Sequence, residues 1–168
     1  MKNVLELLKS ALKAEKDALY KYLKFARDTK NMSGKDMFIR LAMDEFGHAE
    51  IIQKELDHYG ECGETVKTEI GSSDIEKLLP HISSALIKGR GDTGLSDLDA
   101  LRVALDLEND AIKTYREIYE KAEDTNIKEI AKRLLEMEEA HAELIQAEID
   151  NIKKTGFWFD FEEISLEK

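Results

Sequence analysis

Apolar residues recur every three or four positions through four long stretches of the chain, which is how a helix with one buried face reads in sequence. The first stretch runs from about Val4 to Asn31 and sets Leu5, Leu8, Leu12, Glu15, Leu19, Tyr22 and Ala26 on one stripe. Glu15 therefore stands in the middle of an apolar face. Asn31-Met-Ser-Gly34 breaks the pattern, with Ser33 the expected N-cap of the next helix. The second stretch extends to about Tyr59 with Phe38, Leu41, Glu45, His48, Ile52 and Leu56 in line, and Gly60 and Gly63 are placed to end it. Ser96-Asp97-Leu98-Asp99 opens the third, whose stripe is Leu98, Leu101, Leu105, Glu108, Ile112, Tyr115 and Tyr119. After Asp124-Thr125-Asn126 the fourth carries Ile127, Ala131, Leu134, Glu138, His141, Ile145 and Ile152.

Between the second and third stretches the texture changes. Residues 61–95 hold five of the nine glycines and the only proline, with a short amphipathic stretch around Ile75–Ile87. Helices of about 27 residues are roughly 40 Å long, so a short loop leads only to an antiparallel neighbour. A connection of this length can travel the whole bundle and start the third helix parallel to the second. The expected fold is all-α: a four-helix bundle over residues 1–155 with a crossover at 61–95 that has a helix of its own. A tail at 156–168 follows, with four aromatics in the five positions Phe157 to Phe161. It is expected to cover apolar surface on its own bundle, with a second subunit or another protein as the alternative surfaces.

The two halves repeat each other at an offset of 93 residues. His48-Ala-Glu-Ile-Ile-Gln-Lys-Glu-Leu56 lies over His141-Ala-Glu-Leu-Ile-Gln-Ala-Glu-Ile149 with six identities in nine, and Glu15, Asp17, Ala18 and Tyr22 match Glu108, Asp110, Ala111 and Tyr115. Each half carries a Glu-x-x-His tetrad, Glu45–His48 and Glu138–His141, 30 residues after a lone inward Glu. Residues three apart on a helix point the same way, so one tetrad can present a carboxylate and an imidazole to the same point. Four carboxylates and two imidazoles in a bundle core are a ligand set for two metal ions. Glu45 and Glu138 are the expected bridges, His48 and His141 the caps, and Glu15 and Glu108 the terminal ligands. Four oxygens and two nitrogens suit iron, with manganese as the alternative. Unpaired carboxylates in an apolar core each cost several kcal/mol, and two divalent cations would cancel four negative charges.

Around this set the reading stays open in places. Tyr22 and Tyr115 lie two turns beyond the lone Glu on the same face, either as hydrogen-bond donors to a ligand carboxylate or as core aromatics. Asp44 could orient a histidine through its ring N–H, although Met137 holds the equivalent place in the other half. Glu50, Glu143, Glu55 and Glu148 recur in both copies and are expected to be surface or rim charges.

The formal charge of −11 argues against a nucleic-acid partner. No apolar run approaches the roughly 20 residues needed to span a bilayer, so no membrane partner is expected. Glu6 and Lys9 interrupt the apolar run that a signal peptide needs, and the expected location is cytoplasmic. One cysteine, Cys62, excludes an intrachain disulfide.

This arrangement resembles the ferritin-like superfamily, and most of all the rubrerythrins and ferritin-like diiron proteins. Glu15-Lys-Asp-Ala-Leu-Tyr-Lys-Tyr-Leu-Lys-Phe-Ala26 and Asp44-Glu-Phe-Gly-His-Ala-Glu50 carry the resemblance. It implies Glu15, Glu45, His48, Glu108, Glu138 and His141 as ligands of two iron ions, and redox chemistry in which two Fe(II) ions reduce O2 or peroxide. Rubrerythrins usually add a rubredoxin-like module with paired Cys-x-x-Cys, whereas this chain has one cysteine, so electrons must come from a separate donor such as a rubredoxin-like protein. They also carry an additional Glu one turn after the third-helix ligand, where this chain has Ala111. A homo-oligomer, in the simplest case a dimer, is expected. Two other readings stand beside the oxidoreductase: a ferroxidase or iron-handling protein, and a non-enzymatic helical module stapled by its metals.

Overall fold

The computed structural model describes residues 2–82 and 95–159, with the side chains of residues 2, 3, 81, 82, 95 and 96 left aside. Five helices follow one another: α1 (Lys2–Asp28), α2 (Met32–Cys62), α3 (Asp74–Ile82), α4 (Leu95–Lys121) and α5 (Thr125–Thr155). The stretch expected beyond Ile82 toward Ile87, and the tail beyond Phe159 including Phe161, lie outside the described residues.

Local chemistry fixes the helix ends. Asn31, not Ser33, caps α2: its backbone is extended and its side chain accepts from the Gly34 N–H. Asp124 does the same for α5 through the Ile127 N–H, at the matching position of the second repeat. Taking the cap with Asn31 ends α1 at Asp28, earlier than the apolar pattern suggests. Both long second helices stop at a glycine in the left-handed conformation, Gly63 at φ 75° and Gly156 at φ 80°. Gly60 lies inside α2 and does not end it.

Two apolar clusters fill the two ends of the bundle. One gathers the end of α1, the start of α2, the start of α4 and the end of α5, including Tyr22, Phe38, Leu101 and Leu144. The other gathers the start of α1, Ile52 of α2, the end of α4 and the start of α5, including Leu8, Tyr115, Ile118 and Leu134. Hence α1 and α5 run one way and α2 and α4 the other, and the connection from α2 to α4 crosses the bundle from end to end. On its way Thr65 accepts from Asn126 and donates to Asp124, Arg133 pairs with Glu76 and donates to the Gly71 carbonyl, and α3 buries Ile75 and Leu78.

The core edge on α4 differs from the sequence reading in one respect. Ala104 and Ile118 are buried, whereas Tyr119 is 41% exposed. With apolar residues at both 118 and 119, periodicity alone does not choose between them. The tail turns back onto its own bundle: Trp158 is fully buried, edge-on to Phe38 at 5.9 Å, and donates through Nε1 to Asp97 at 3.3 Å.

Candidate metal centre

Between the two apolar clusters the six predicted residues converge from four helices. Glu15 (α1), Glu45 and His48 (α2), Glu108 (α4), and Glu138 and His141 (α5) are each at most 3% exposed. Their donor atoms form two groups that could each hold a metal ion. Glu15, Glu45, His48 and Glu138 make one; Glu45, Glu108, Glu138 and His141 make the other. Within each group the atoms lie within 4.8 Å of one another, and Glu45 and Glu138 belong to both.

Both histidines turn Nδ1 inward. His48 Nδ1 stands 2.8 Å from Glu138, 3.1 Å from Glu45 and 3.5 Å from Glu15. His141 Nδ1 stands 3.3 Å from Glu138, 3.4 Å from Glu45 and 3.5 Å from Glu108. The two imidazoles lie nearly parallel, 5.6 Å apart. Close as these atoms are, their alignment is wrong for hydrogen bonds: among the described residues Glu45 Oε2, both Glu138 oxygens and both Nδ1 atoms have no hydrogen-bond partner. Buried polar atoms left unsatisfied cost about 1–3 kcal/mol each, more when charged. Lone pairs aimed at a common point rather than at each other are what a cation would satisfy, and carboxylate with imidazole is the donor set of iron or manganese. The residues fit the group that the sequence suggests.

The charges balance in an informative way. Burial first, then Glu45 and Glu138, pushes Glu15 and Glu108 well above the usual carboxylate range. Burial pulls the histidines down, but the carboxylates, Glu138 for His48 and Glu108 for His141, outweigh it and raise both imidazoles well above their usual value. Burial acts upward on Glu138 too, and His48 and His141 overcome it and hold the group well below its ordinary value. Without a cation, protons supply the missing positive charge. Metal binding at such a site expels protons and so weakens in acid.

Two tyrosines complete a crossed arrangement. Tyr22 of the first hairpin donates to Glu108 of the second, and Tyr115 of the second donates to Glu15 of the first. Burial, then the carboxylate each one faces, raises both phenols well above their usual value, so each keeps its proton. Their hydroxyls donate to inward carboxylates while their rings pack in the two apolar clusters, so the two roles coexist. Asp44 Oδ2 lies 3.0 Å from His141 Nε2, across the bundle from its own tetrad. Nε2 of His48 has no hydrogen-bond partner among the described residues.

Between α1 and α4 a cavity of about 210 Å³ reaches inward to Glu15, Glu45, Glu108 and Glu138. Ala11, Ala18 and Ala111 line it. Small side chains on both helices keep it open down to the carboxylates.

Two further residues lie elsewhere than their sequence pattern suggests. Glu55 and Glu148 are not rim charges but are buried, at 1% and 0% exposure. Each accepts a backbone N–H from the segment leaving its helix: Glu55 from Val66 at 3.1 Å, Glu148 from Phe159 at 2.8 Å. The two clasps match in the repeat, since each acceptor stands eight residues before the terminal glycine and each donor three residues after it. That spacing was visible in the sequence, but its partner is backbone, which leaves no residue-type signal. Glu50 and Glu143 are exposed as expected.

The sequence model of the Rubrerythrin family matches residues 6–149. A hypothetical protein from Pyrococcus furiosus superimposes with a TM-score of 0.70 at 23% identity, over 92% of this chain and 93% of its own. A bacterioferritin from Rhodobacter capsulatus gives 0.65 at 22% identity, over 92% and 88%. A dodecameric thioferritin from Bacteroides fragilis gives 0.61 at 24%, over 99% and 92%. At these identities the likeness is one of fold. No curated protein matches the chain. Among the described helices none is long and apolar enough to cross a membrane.

Proposed function

The chain belongs to the rubrerythrin family, and from that membership and the geometry above we propose that it is a diiron-carboxylate oxidoreductase. When bound, two iron ions would supply the electrons that reduce peroxide or O2, replenished by a separate donor protein. The observation that carries the reading is the convergence of buried, hydrogen-bond-deprived carboxylate and imidazole atoms on two points that share Glu45 and Glu138.

The chain's own residues have distinct tasks. Glu15, His48, Glu108 and His141 would hold one side each of the pair, and Glu45 and Glu138 would span it. Tyr22 and Tyr115 fix the outer carboxylates by donating to them, each from the opposite hairpin. Asp44 orients His141 with Nδ1 inward. The alanine-lined cavity of about 210 Å³ between α1 and α4 has room for O2 or peroxide beside the carboxylates. The same scaffold would hold manganese with the same ligands.

Ala111 favours a second reading. It lies on the cavity wall, at the position where the resemblance places an additional Glu in rubrerythrins, and a site with four carboxylates and two imidazoles suits a ferroxidase that oxidises Fe(II) with O2. One experiment separates these readings. Protein purified without oxygen is loaded with Fe(II), analysed for metal, and mixed rapidly with peroxide or with O2 while the ferric absorbance is followed. Two irons per chain, oxidised faster by peroxide, support the peroxidase. Faster reaction with O2 and uptake beyond two irons support the ferroxidase. Oxidation no faster than that of free Fe(II) leaves the metals as staples and overturns both.

A further inference from the structure

One end of the bundle holds a line of rings that the other end lacks. Trp158 and Phe38 meet edge to face with ring centres 5.9 Å apart, and Phe38 stacks on Tyr22 at 6.2 Å and 23°. Tyr22 in turn donates to Glu108, one of the six residues of the candidate centre. All three rings are fully buried. Each step falls within the separation of about 4.5–7 Å at which aromatic side chains touch. A column of π-systems therefore runs without a break from a carboxylate of the centre to the segment that folds back after α5.

The internal repeat is the control. An offset of 93 residues carries Tyr22 to Tyr115, which likewise donates to an inward carboxylate. There the likeness stops. Phe38 corresponds to Ala131, Trp158 to Thr65, and Asp97, which accepts from the indole at 3.3 Å, to Val4. Aliphatic side chains such as Ile118, Ile127 and Leu134 fill that end instead. Gly34 shows the room made for the indole: a Cβ there would meet Trp158 at 2.8 Å, whereas its counterpart is Ile127. Packing alone does not call for the column, since the second end is packed without it.

The acceptor is as telling as the rings. A buried indole N–H needs a partner, and any neutral oxygen would serve. Here the partner is the carboxyl group of Asp97, itself buried. An indole that gives up an electron turns its Nε1–H into a strong acid, and a carboxylate already in contact takes that proton directly.

We propose that Trp158 is an auxiliary electron donor to the metal centre, its indole giving up one electron through Phe38 and Tyr22 when the metals alone do not supply the two that peroxide needs. This rests on the oxidoreductase reading above. Two Fe(II) ions complete the reduction by themselves; a site with one Fe(II) provides one electron. Trp158 provides the other, its Nε1 proton moves to Asp97, and two protons from solvent complete two waters. Fe(III), protonated Asp97 and a neutral indolyl radical remain. The oxidising equivalent thereby leaves the ligand carboxylates and imidazoles and comes to rest on a ring shielded from solvent.

Trp158 is the chain's one tryptophan, so ring-deuterated tryptophan marks it alone. Protein loaded without oxygen to one Fe(II) per chain is mixed with hydrogen peroxide and frozen at short times for electron paramagnetic resonance. A radical signal that narrows with the label is expected. It should be largely lost in Phe38→Leu, which replaces the middle ring by an aliphatic side chain, and in Asp97→Asn, which keeps an acceptor and removes the base. Phe25→Leu changes the same cluster beside the column, 5.4 Å from Phe38, and should leave the signal as it is. Circular dichroism and iron content check that each variant folds and loads. Peptide mapping gives a second readout: oxidised Trp158 should accumulate over repeated additions of peroxide to the iron-loaded parent, and stay scarce in Phe38→Leu and in metal-free protein. Ferric absorbance without a label-sensitive radical would overturn the proposal and leave the oxidoreductase reading standing. Iron that reacts no faster than free Fe(II) would overturn both. A signal as strong in Phe38→Leu or Asp97→Asn as in the parent, or equal oxidation of Trp158 without metal, would also overturn the proposal.

Discussion

Replacing Glu148 by Gln should lift a pH-dependent load from the fold. The carboxyl is inaccessible; one oxygen accepts from Phe159 N–H at 2.8 Å and the other has no hydrogen-bond partner. Burial pushes the group from its ordinary 4.5 up to about 8, against the opposing pull of the Phe159 bond. An acid raised in the folded state keeps its proton after the unfolded chain has released it. Below pH 4.5 both states are protonated and the group is neutral to stability. Between 4.5 and 8 each pH unit removes about 1.4 kcal/mol, and above 8 the loss levels off. At pH 7 the accumulated cost is on the order of 3 kcal/mol, a large part of the 5–15 kcal/mol that holds a typical domain together. Gln keeps the acceptor for Phe159 and never ionises. Urea unfolding of metal-free protein, followed by the fluorescence of Trp158 and by circular dichroism at pH 5, 6, 7 and 8, reads the effect. Parent and variant should agree near pH 5 and separate steadily toward pH 8, with the variant the more stable. The ligand cluster also titrates, but equally in both proteins, so their difference isolates residue 148. Glu55→Gln is the internal comparison. Burial raises that carboxyl too, while the Val66 bond and His58 pull it back, so its separation should be smaller. Curves that stay parallel across this range would refute the reasoning.

Two further outcomes test the contacts that frame the site. A Cβ on Gly34 would meet Trp158 at 2.8 Å and Thr29 at 2.9 Å, so Gly34→Ala should cost about 1–3 kcal/mol and shift Trp158 emission to the red. Gly47→Ala, which meets nothing within 4 Å, should gain up to about 1 kcal/mol in the same assay. Asp44→Asn removes the carboxylate behind His141 and should lower metal affinity by about 10–100-fold in chelator competition, with the fold intact by circular dichroism.

What the sequence made legible was whatever the repeat states twice by residue type. Glu15, Glu45, His48 and their copies stand on inward stripes at fixed spacing, and the crossover follows from helix length against loop length. What it concealed lies between elements. Tyr22 could be placed two turns from Glu15 on its own helix, but its acceptor, Glu108, belongs to the other hairpin. Asp44 likewise serves the histidine of the opposite tetrad, at a distance no linear spacing encodes. Glu55 and Glu148 looked like surface charges because acidic residues on long helices mostly are; only the chain path after Gly63 and Gly156 supplies the backbone N–H that makes them interior. Asn31 won the cap from Ser33 by geometry, since the residue that accepts from Gly34 N–H must itself stay extended.

The repeat also shows where the two halves stopped being equal, and this bears on the chemistry. The inward donors are duplicated in kind, so each half offers the same first contacts to a cation. The support behind them is not. His141 has a carboxylate at 3.0 Å from its outer nitrogen; His48 has no hydrogen-bond partner there among the described residues, and Met137 occupies the position that corresponds to Asp44. An imidazole that donates to a carboxylate is the stronger base and the more firmly oriented ligand. Two cations held by this chain would therefore experience different fields, one against a buttressed histidine and one against a free-standing one. A symmetric ligand set gives two sites at the same address, and an asymmetric second layer makes one of them easier to oxidise or to empty. Asp44→Asn should bring the two closer to equivalence, and it does so without touching a predicted ligand.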